Sequence, residues 1–184
     1  MSCALSLLWS CSDNVARPAS DNAISGDVLL EDWADLELFS MQCGSEGRPE
    51  GSLLTIDSNL LHPNGLEGLR EITGDLIVLG NFNLKDVNAF PSLARVGGTV
   101  RIHRNEALEQ LGGLASLQLA GGDLRITVNR IGTLDGLDSL AVVEGAMHIS
   151  GNANLTDIDA LAEHHASGTT STAAIIVEDN PQLL

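Results

Sequence analysis

The stretch Ile72 to Leu93, ITGDLIVLGNFNLKDVNAFPSL, sets the pattern on which the rest of the chain is built. Gly74 is followed by two apolar residues in alternation, Leu76 and Val78, then by Asn81, and then by apolar residues at every third position, Leu84, Val87, Phe90 and Leu93. Alternation gives a very short strand with one face in and one face out. A spacing of three suits short 3₁₀ turns, in which residues i and i+3 eclipse.

The same order recurs along the chain. With the asparagine as the register mark, copies fall at Asn59, Asn81, Asn105, Asn129, Asn152 and Asn180, in steps of 22, 24, 24, 23 and 28 residues. A self-similar period of this length specifies a solenoid, because each unit needs a stacked neighbour to bury its apolar side. The expected inward strand pairs are Leu54 and Ile56, Leu76 and Val78, Val100 and Ile102, Leu124 and Ile126, Met147 and Ile149, and Ile175 and Val177. Gly74, Gly98, Gly122 and Gly145 each stand two residues before such a pair, where the chain turns sharply and a side chain would crowd the adjacent coil. The asparagines are expected to point inward and satisfy backbone groups between coils.

The 184 residues support one domain with a tail. Three Phe, two Trp and no Tyr leave the core to Leu, Ile and Val. A formal net charge of -16 opposes binding to phosphate backbones and anionic lipid, so nucleic acid is excluded as an expected partner. The three cysteines, Cys3, Cys11 and Cys43, form neither a CxxC pair nor a zinc-like set with histidine, and no cofactor or metal is expected.

The N-terminal residues 1–25 read as a partial signal or lipid-attachment segment with a linker. Leu8-Trp9-Ser10-Cys11 resembles a bacterial lipoprotein cleavage box, which makes Cys11 a candidate lipid-attachment site. Trp9 is bulky for that box, and no Lys or Arg precedes the apolar run. The other reading of the run is an apolar terminus that docks or stays free.

The solenoid is expected over 26–184, with a cap at 26–50 and six repeat coils over 51–184. In the cap, Gly26-Asp27-Val28-Leu29-Leu30 reads as a strand, and Trp33, Leu36 and Phe39, with Cys43 further apart, fall on roughly one side of a short helix. The last unit is lengthened by ALAEHHASGTTSTAA before Ile175, and either ends the stack as a bare strand or belongs to something longer.

The run ITGDLIVLGNFNLKDVNAFPSLARVGGTVRIHRNEALEQLGGL resembles the receptor L-domain family. The resemblance spans roughly Gly26 to Leu183 and lies in the recurring G-x-φ-x-φ-x-x-N-x-x-L unit, where φ is apolar. It implies a leucine-rich-repeat-like, right-handed parallel β-helix. Receptor-type cysteine pairs are missing, which places the resemblance with the bacterial surface and lipoprotein branch and implies a binding or adhesive module.

Outward strand positions hold Ile77 and Leu79, Arg101 and His103, Arg125 and Thr127, His148 and Ser150, and Ile176 and Glu178, with Arg104 at a strand end. Arg101, Arg104 and Arg125 gather three of nine Lys and Arg on one side of an acidic chain. With His103 and His148 they form a candidate cationic platform for a carboxylate, an acidic glycan or an acidic protein surface. With this strand phase Ile77, Leu79 and Ile176 are expected as exposed apolar residues, which a partner surface, a slipped register or cover from a terminal segment would each explain. The alternative is a solvated face whose bases pair with local acids such as Asp75 and Asp123.

Other chemistry is weakly seeded. His164 and His165 follow Glu163 without an HExxH motif. Asp135, Asp138, Asp157 and Asp159 are candidates for weak calcium binding only, because these coils lack the added glycine and regularly placed aspartate of a calcium repeat. No nucleophile elbow, phosphate loop or carboxylate pair appears. The expectation is a monomeric, non-enzymatic module, extracellular or tethered to an outer membrane, that binds a protein or glycan ligand through its strand sheet. A structural spacer is the alternative, and a β-helix glycan-active enzyme the distant one.

Overall fold

The computed structural model describes residues 66–161 and 172–184 in full, together with the backbone of short strands at 23–24, 28–30, 48–49 and 53–56. In chain order the strands are β1 (Ala23–Ile24), β2 (Val28–Leu30), β3 (Arg48–Pro49), β4 (Leu53–Ile56), β5 (Glu71–Ile72), β6 (Leu76–Leu79), β7 (Arg95–Val96) and β8 (Val100–His103). They continue with β9 (Leu119–Ala120), β10 (Leu124–Thr127), β11 (Val142–Val143), β12 (Ala146–Ser150) and β13 (Ala174–Glu178).

All pairings are parallel. The longer strands build one seven-stranded sheet in the order β13-β12-β10-β8-β6-β4-β2, so each coil adds its strand beside that of the preceding coil. The chain is a right-handed parallel β-helix, a solenoid whose core runs along its axis. The opening strand β2 extends the main sheet through β4. The helix expected over Trp33 to Cys43 lies outside the described residues, as do Cys11, Asn59, His164 and His165.

A second sheet precedes the main one in each coil, separated from it by a corner of two or three residues. Strands β5, β7, β9 and β11, each two residues long, pair in sequence order. Their inward members Ile72, Val96, Ala120 and Val143 are fully buried. The sequence reading expects only short 3₁₀ turns and irregular arcs outside the main strands, and these short pairs are an addition to it.

The ladder is otherwise locally bonded as its period demands. Leu93 N–H donates to the Phe90 carbonyl at 3.1 Å, Leu117 to Leu114 at 2.8 Å and Leu140 to Leu137 at 3.0 Å, each three residues back. Gly112–Leu114 and Asp159–Leu161 are 3₁₀ helices. Three residues per turn place these leucines over one another, and Leu108, Leu111, Leu114 and Leu117 are at most 1% exposed. Lacking aromatics, this core depends on interlocked aliphatic stacks, where Leu→Ala typically costs about 2–5 kcal/mol.

The asparagines form a continuous buried ladder. The Oδ1 of Asn105 accepts from both the backbone N–H and the Nδ2 of Asn81, each at 3.0 Å. Its Nδ2 donates back to the Val78 carbonyl and forward to Asn129 Oδ1, both at 3.1 Å. Two donors and two acceptor sites are thereby used in full, which is what a carboxamide removed from water requires. Asn129 and Asn152 repeat the arrangement, and at Asn180 the free Nδ2 proton turns to the carbonyl of Glu178.

A second ladder crosses the other end of the strands. The Thr99 N–H donates to Asp75 Oδ1 at 2.7 Å, the Asp123 N–H to Thr99 Oγ1 at 3.4 Å, and the Ala146 N–H to Asp123 Oδ1 at 2.9 Å. This explains Gly98, Gly122 and Gly145. A Cβ at those positions would stand 2.1 Å from Asp75 Oδ1, 2.8 Å from Thr99 Oγ1 and 2.2 Å from Asp123 Oδ1.

Two expectations on the strands need correction. The inward pair Leu54 and Ile56 is one residue out of phase, because β4 pairs Leu53 with Leu76 and Leu54 with Ile77. The strand offset between β4 and β6 is 23 residues, whereas Asn59 and Asn81 are 22 apart in the sequence. At the other end Ile175 pairs in register with buried Met147 but is 38% exposed, since no described residue stacks beyond β13.

Candidate functional site

Each outward column of the main sheet is fixed by strand register. One column runs Ile77, Arg101, Arg125, His148, Ile176, and the other Leu79, His103, Thr127, Ser150, Glu178. Neighbours within a column are about 4.8 Å apart at the backbone. The alternating burial of β6, β8 and β10 places Leu76, Val78, Val100, Ile102, Leu124 and Ile126 inward and the candidate residues outward.

Along the solenoid axis the face changes from Ile77 and Leu79 on β6, which are half-buried rather than the exposed apolar patch expected from the sequence, to Arg101 on β8 and Arg125 on β10.

The cations are not equivalent. Arg125 donates through Nε and Nη2 to Asp123 Oδ2 at 3.1 and 2.7 Å, two residues earlier on its own strand. Asp123 in turn is held below the ordinary carboxyl range, first by the Ala146 N–H and then by Arg125. His148 Nε2 lies 3.2 Å from Glu178 Oε1. These two contacts are the local pairings that a solvated-face reading requires.

Arg101 differs because the residue two before it is Thr99, not an aspartate. Its exposed guanidinium has no hydrogen-bond or ion-pair partner among the described residues. Beside it, His103 is half-buried with Nδ1 2.7 Å from Thr127 Oγ1. Burial and then the charge of Arg101 push the His103 pKa down, with Arg104 adding to the effect and the Thr127 contact opposing it. The imidazole is therefore neutral at pH 7 and offers a hydrogen-bonding ring nitrogen rather than a positive charge.

Arg104 does not continue the strand. It has φ 55°, in the left-handed region, and so do its register equivalents Gly80, Val128, Gly151 and Asp179. Every described coil thus makes a left-handed step immediately before its asparagine. Gly80-Asn81 and Gly151-Asn152 carry the signal in the sequence, but arginine, valine and aspartate at the other three positions hide it. Arg104 is exposed at the rim beyond Arg101 and His103.

Among the described residues no group of three His, Cys, Asp or Glu is arranged to hold a metal, and no helix is long and apolar enough to cross a membrane. The one contrast that sequence reasoning had not drawn is between Thr99-Val100-Arg101 and Asp123-Leu124-Arg125, which separates an unpaired arginine from a paired one. Comparison of the chain with protein-family models finds no match, and neither do comparisons with curated proteins and with solved structures.

Proposed function

We propose that the chain is a non-catalytic binding module that engages a protein or glycan ligand through the outward face of its seven-stranded sheet. The observation that carries this reading is Arg101, a guanidinium with no partner among the described residues, set in register beside Ile77. A side chain committed to the fold would be paired as Arg125 is. An exposed cation next to aliphatic groups instead offers two kinds of contact to one ligand. Parallel strands paired in register from β4 to β13 supply the rigid scaffold that such a face needs.

The resemblance to bacterial receptor L-domain proteins gives this reading its setting. In that setting the module sits at a cell surface, attached through lipid on Cys11. Intact mass and membrane partition of protein expressed from its full upstream reading frame test the attachment. A mature chain that retains Met1 and stays in the cytoplasm contradicts it.

The spacer reading draws support from the two hydrogen-bond ladders, which by themselves account for a stiff rod. A glycan and protein binding screen separates the two. Ligands retained by the wild type and lost when Arg101 and Arg125 are both changed to Glu support the binding face. A screen without hits, or hits indifferent to the charge reversal, leaves the rod.

A further inference from the structure

We propose that the face takes a short protein segment in which a single carboxylate is flanked by aliphatic side chains, the carboxylate on Arg101 and the aliphatic groups on Ile77 and Leu79. This assignment rests on the strand-face reading above and specifies its ligand.

Three observations select that class. First, the free cation and the half-buried aliphatic side chains Ile77 and Leu79 are immediate neighbours, since Arg101 pairs with Ile77 and His103 with Leu79 across one strand spacing. A ligand that satisfies Arg101 covers those aliphatic groups at the same time. Second, the chain carries a net charge of -16, so a polyanion is repelled at long range. A lone carboxylate in a neutral segment escapes most of that repulsion, because screening confines interactions to roughly 8–10 Å and the guanidinium is the nearest charge. Third, sugars stack their C–H faces on aromatic rings. The described outward columns offer only the imidazoles of His103 and His148 besides aliphatic and polar groups.

Thr99 is the residue that keeps the site open. At the equivalent place Asp123 ties down Arg125, and a carboxylate at 99 would do the same to Arg101. The neighbouring ring adds selectivity: neutral His103 can donate or accept one hydrogen bond without competing for the carboxylate as a charge.

The test is an NMR titration of isotope-labelled protein with two blocked peptides, acetyl-Leu-Glu-Leu-amide and acetyl-Leu-Gln-Leu-amide. The expected result is that the Glu peptide shifts the Arg101 Nε–H and the Ile77 and Leu79 methyl signals, and that the Gln peptide binds about tenfold or more weakly, the loss of a charged hydrogen-bond pair. Arg101→Gln makes the two peptides equal, Arg125→Gln keeps the difference, and Thr99→Asp weakens the Glu peptide with Arg101 still present. Backbone amide spectra of each variant establish that it is folded. Equal shifts from both peptides overturn the carboxylate assignment while leaving the strand-face reading intact. Stronger effects on Arg101 from a sulfated disaccharide than from the Glu peptide overturn the peptide class, again with the face retained. Shifts confined to residues off the main sheet, for these probes and for hits from the screen, overturn the inference and the reading together.

Discussion

The side-chain amide of Asn105 and its backbone N–H both donate to Oδ1 of Asn129, each at 3.1 Å. One carboxamide oxygen therefore closes the turn of the preceding coil, and the same side chain passes the pattern to the next coil. Changing Asn105 to Ala would take from the Val78 carbonyl its side-chain donor, from Asn129 Oδ1 one of its two donors, and from the Asn81 backbone N–H and one Asn81 Nδ2 proton their shared acceptor, in a site of no exposure. At about 1–3 kcal/mol for each buried group left unsatisfied, the expected loss is roughly 3–5 kcal/mol after relaxation. Urea unfolding measures it. Asn105→Asp should be at least as damaging, because a carboxylate accepts like the amide but cannot donate to Val78 or Asn129.

Val128 is a β-branched residue at φ 58°, where the left-handed backbone crowds its Cβ. It is 47% exposed, so little packing offsets the strain. Val128→Gly is expected to raise stability by about 1 kcal/mol, net of the entropy that glycine loses on folding. Gly151→Val, the reverse change in the next coil at φ 65°, should lower it by a similar or larger amount. Thermal or urea midpoints of the two variants check the sign.

Gly112 and Gly113 are neighbours in one 3₁₀ turn and should respond oppositely to alanine. A Cβ at Gly113 would stand 1.8 Å from the Val87 carbonyl oxygen, which is backbone of the adjacent coil and cannot swing away. At Gly112 the nearest atom is Asn88 Oδ1 at 3.6 Å, an ordinary contact. Gly113→Ala is expected to cost about 1–3 kcal/mol or more. Gly112→Ala should be neutral or stabilising by roughly 0.4–1 kcal/mol through the unfolded chain.

Stability should fall in two stages as pH is lowered. The folded His103 pKa lies below its ordinary 6.5, so the unfolded chain takes up the proton first. Its contribution is complete above 6.5 and declines as pH drops from there through the folded value. Asp123, depressed from 3.8, contributes above that value and loses its share as pH falls through the lowered one. Urea midpoints across pH 3 to 8 should show both declines, with His103→Gln removing the first and Asp123→Asn the second. Ring-proton titration adds a finer check. Arg101→Gln should raise the His103 pKa, because the guanidinium charge opposes protonation.

Much of the fold was legible because aliphatic residues report burial so directly. From Leu76 onward the alternating pairs and the every-third ladder named the inward residues, and the recurring asparagine named the coil. The first coil was misphased because the asparagine at 59 is one residue out of step with β4, and a period-two pattern turns inside out on a one-residue slip. The second sheet stayed hidden because two-residue strands such as Arg95–Val96 are too short to alternate. The left-handed column stayed hidden because Arg104, Val128 and Asp179 fill a place where glycine would have marked it.

The candidate face was legible as a group of bases but not as a hierarchy. Asp123 and Thr99 occupy the same place before Arg125 and Arg101, and only the contact at 2.7 Å shows that the first arginine is spent within the fold. A charge count treats the two alike. Side-chain geometry does not.

Binding of a screened protein or glycan ligand to Arg101→Gln and to Arg125→Gln, measured side by side with wild type, tests the central claim most directly. The account predicts about a tenfold loss or more for Arg101→Gln, as expected for losing a charged hydrogen-bond pair, and less than about threefold for Arg125→Gln, whose charge is already met by Asp123. Equal losses, or a larger loss at Arg125, would contradict it.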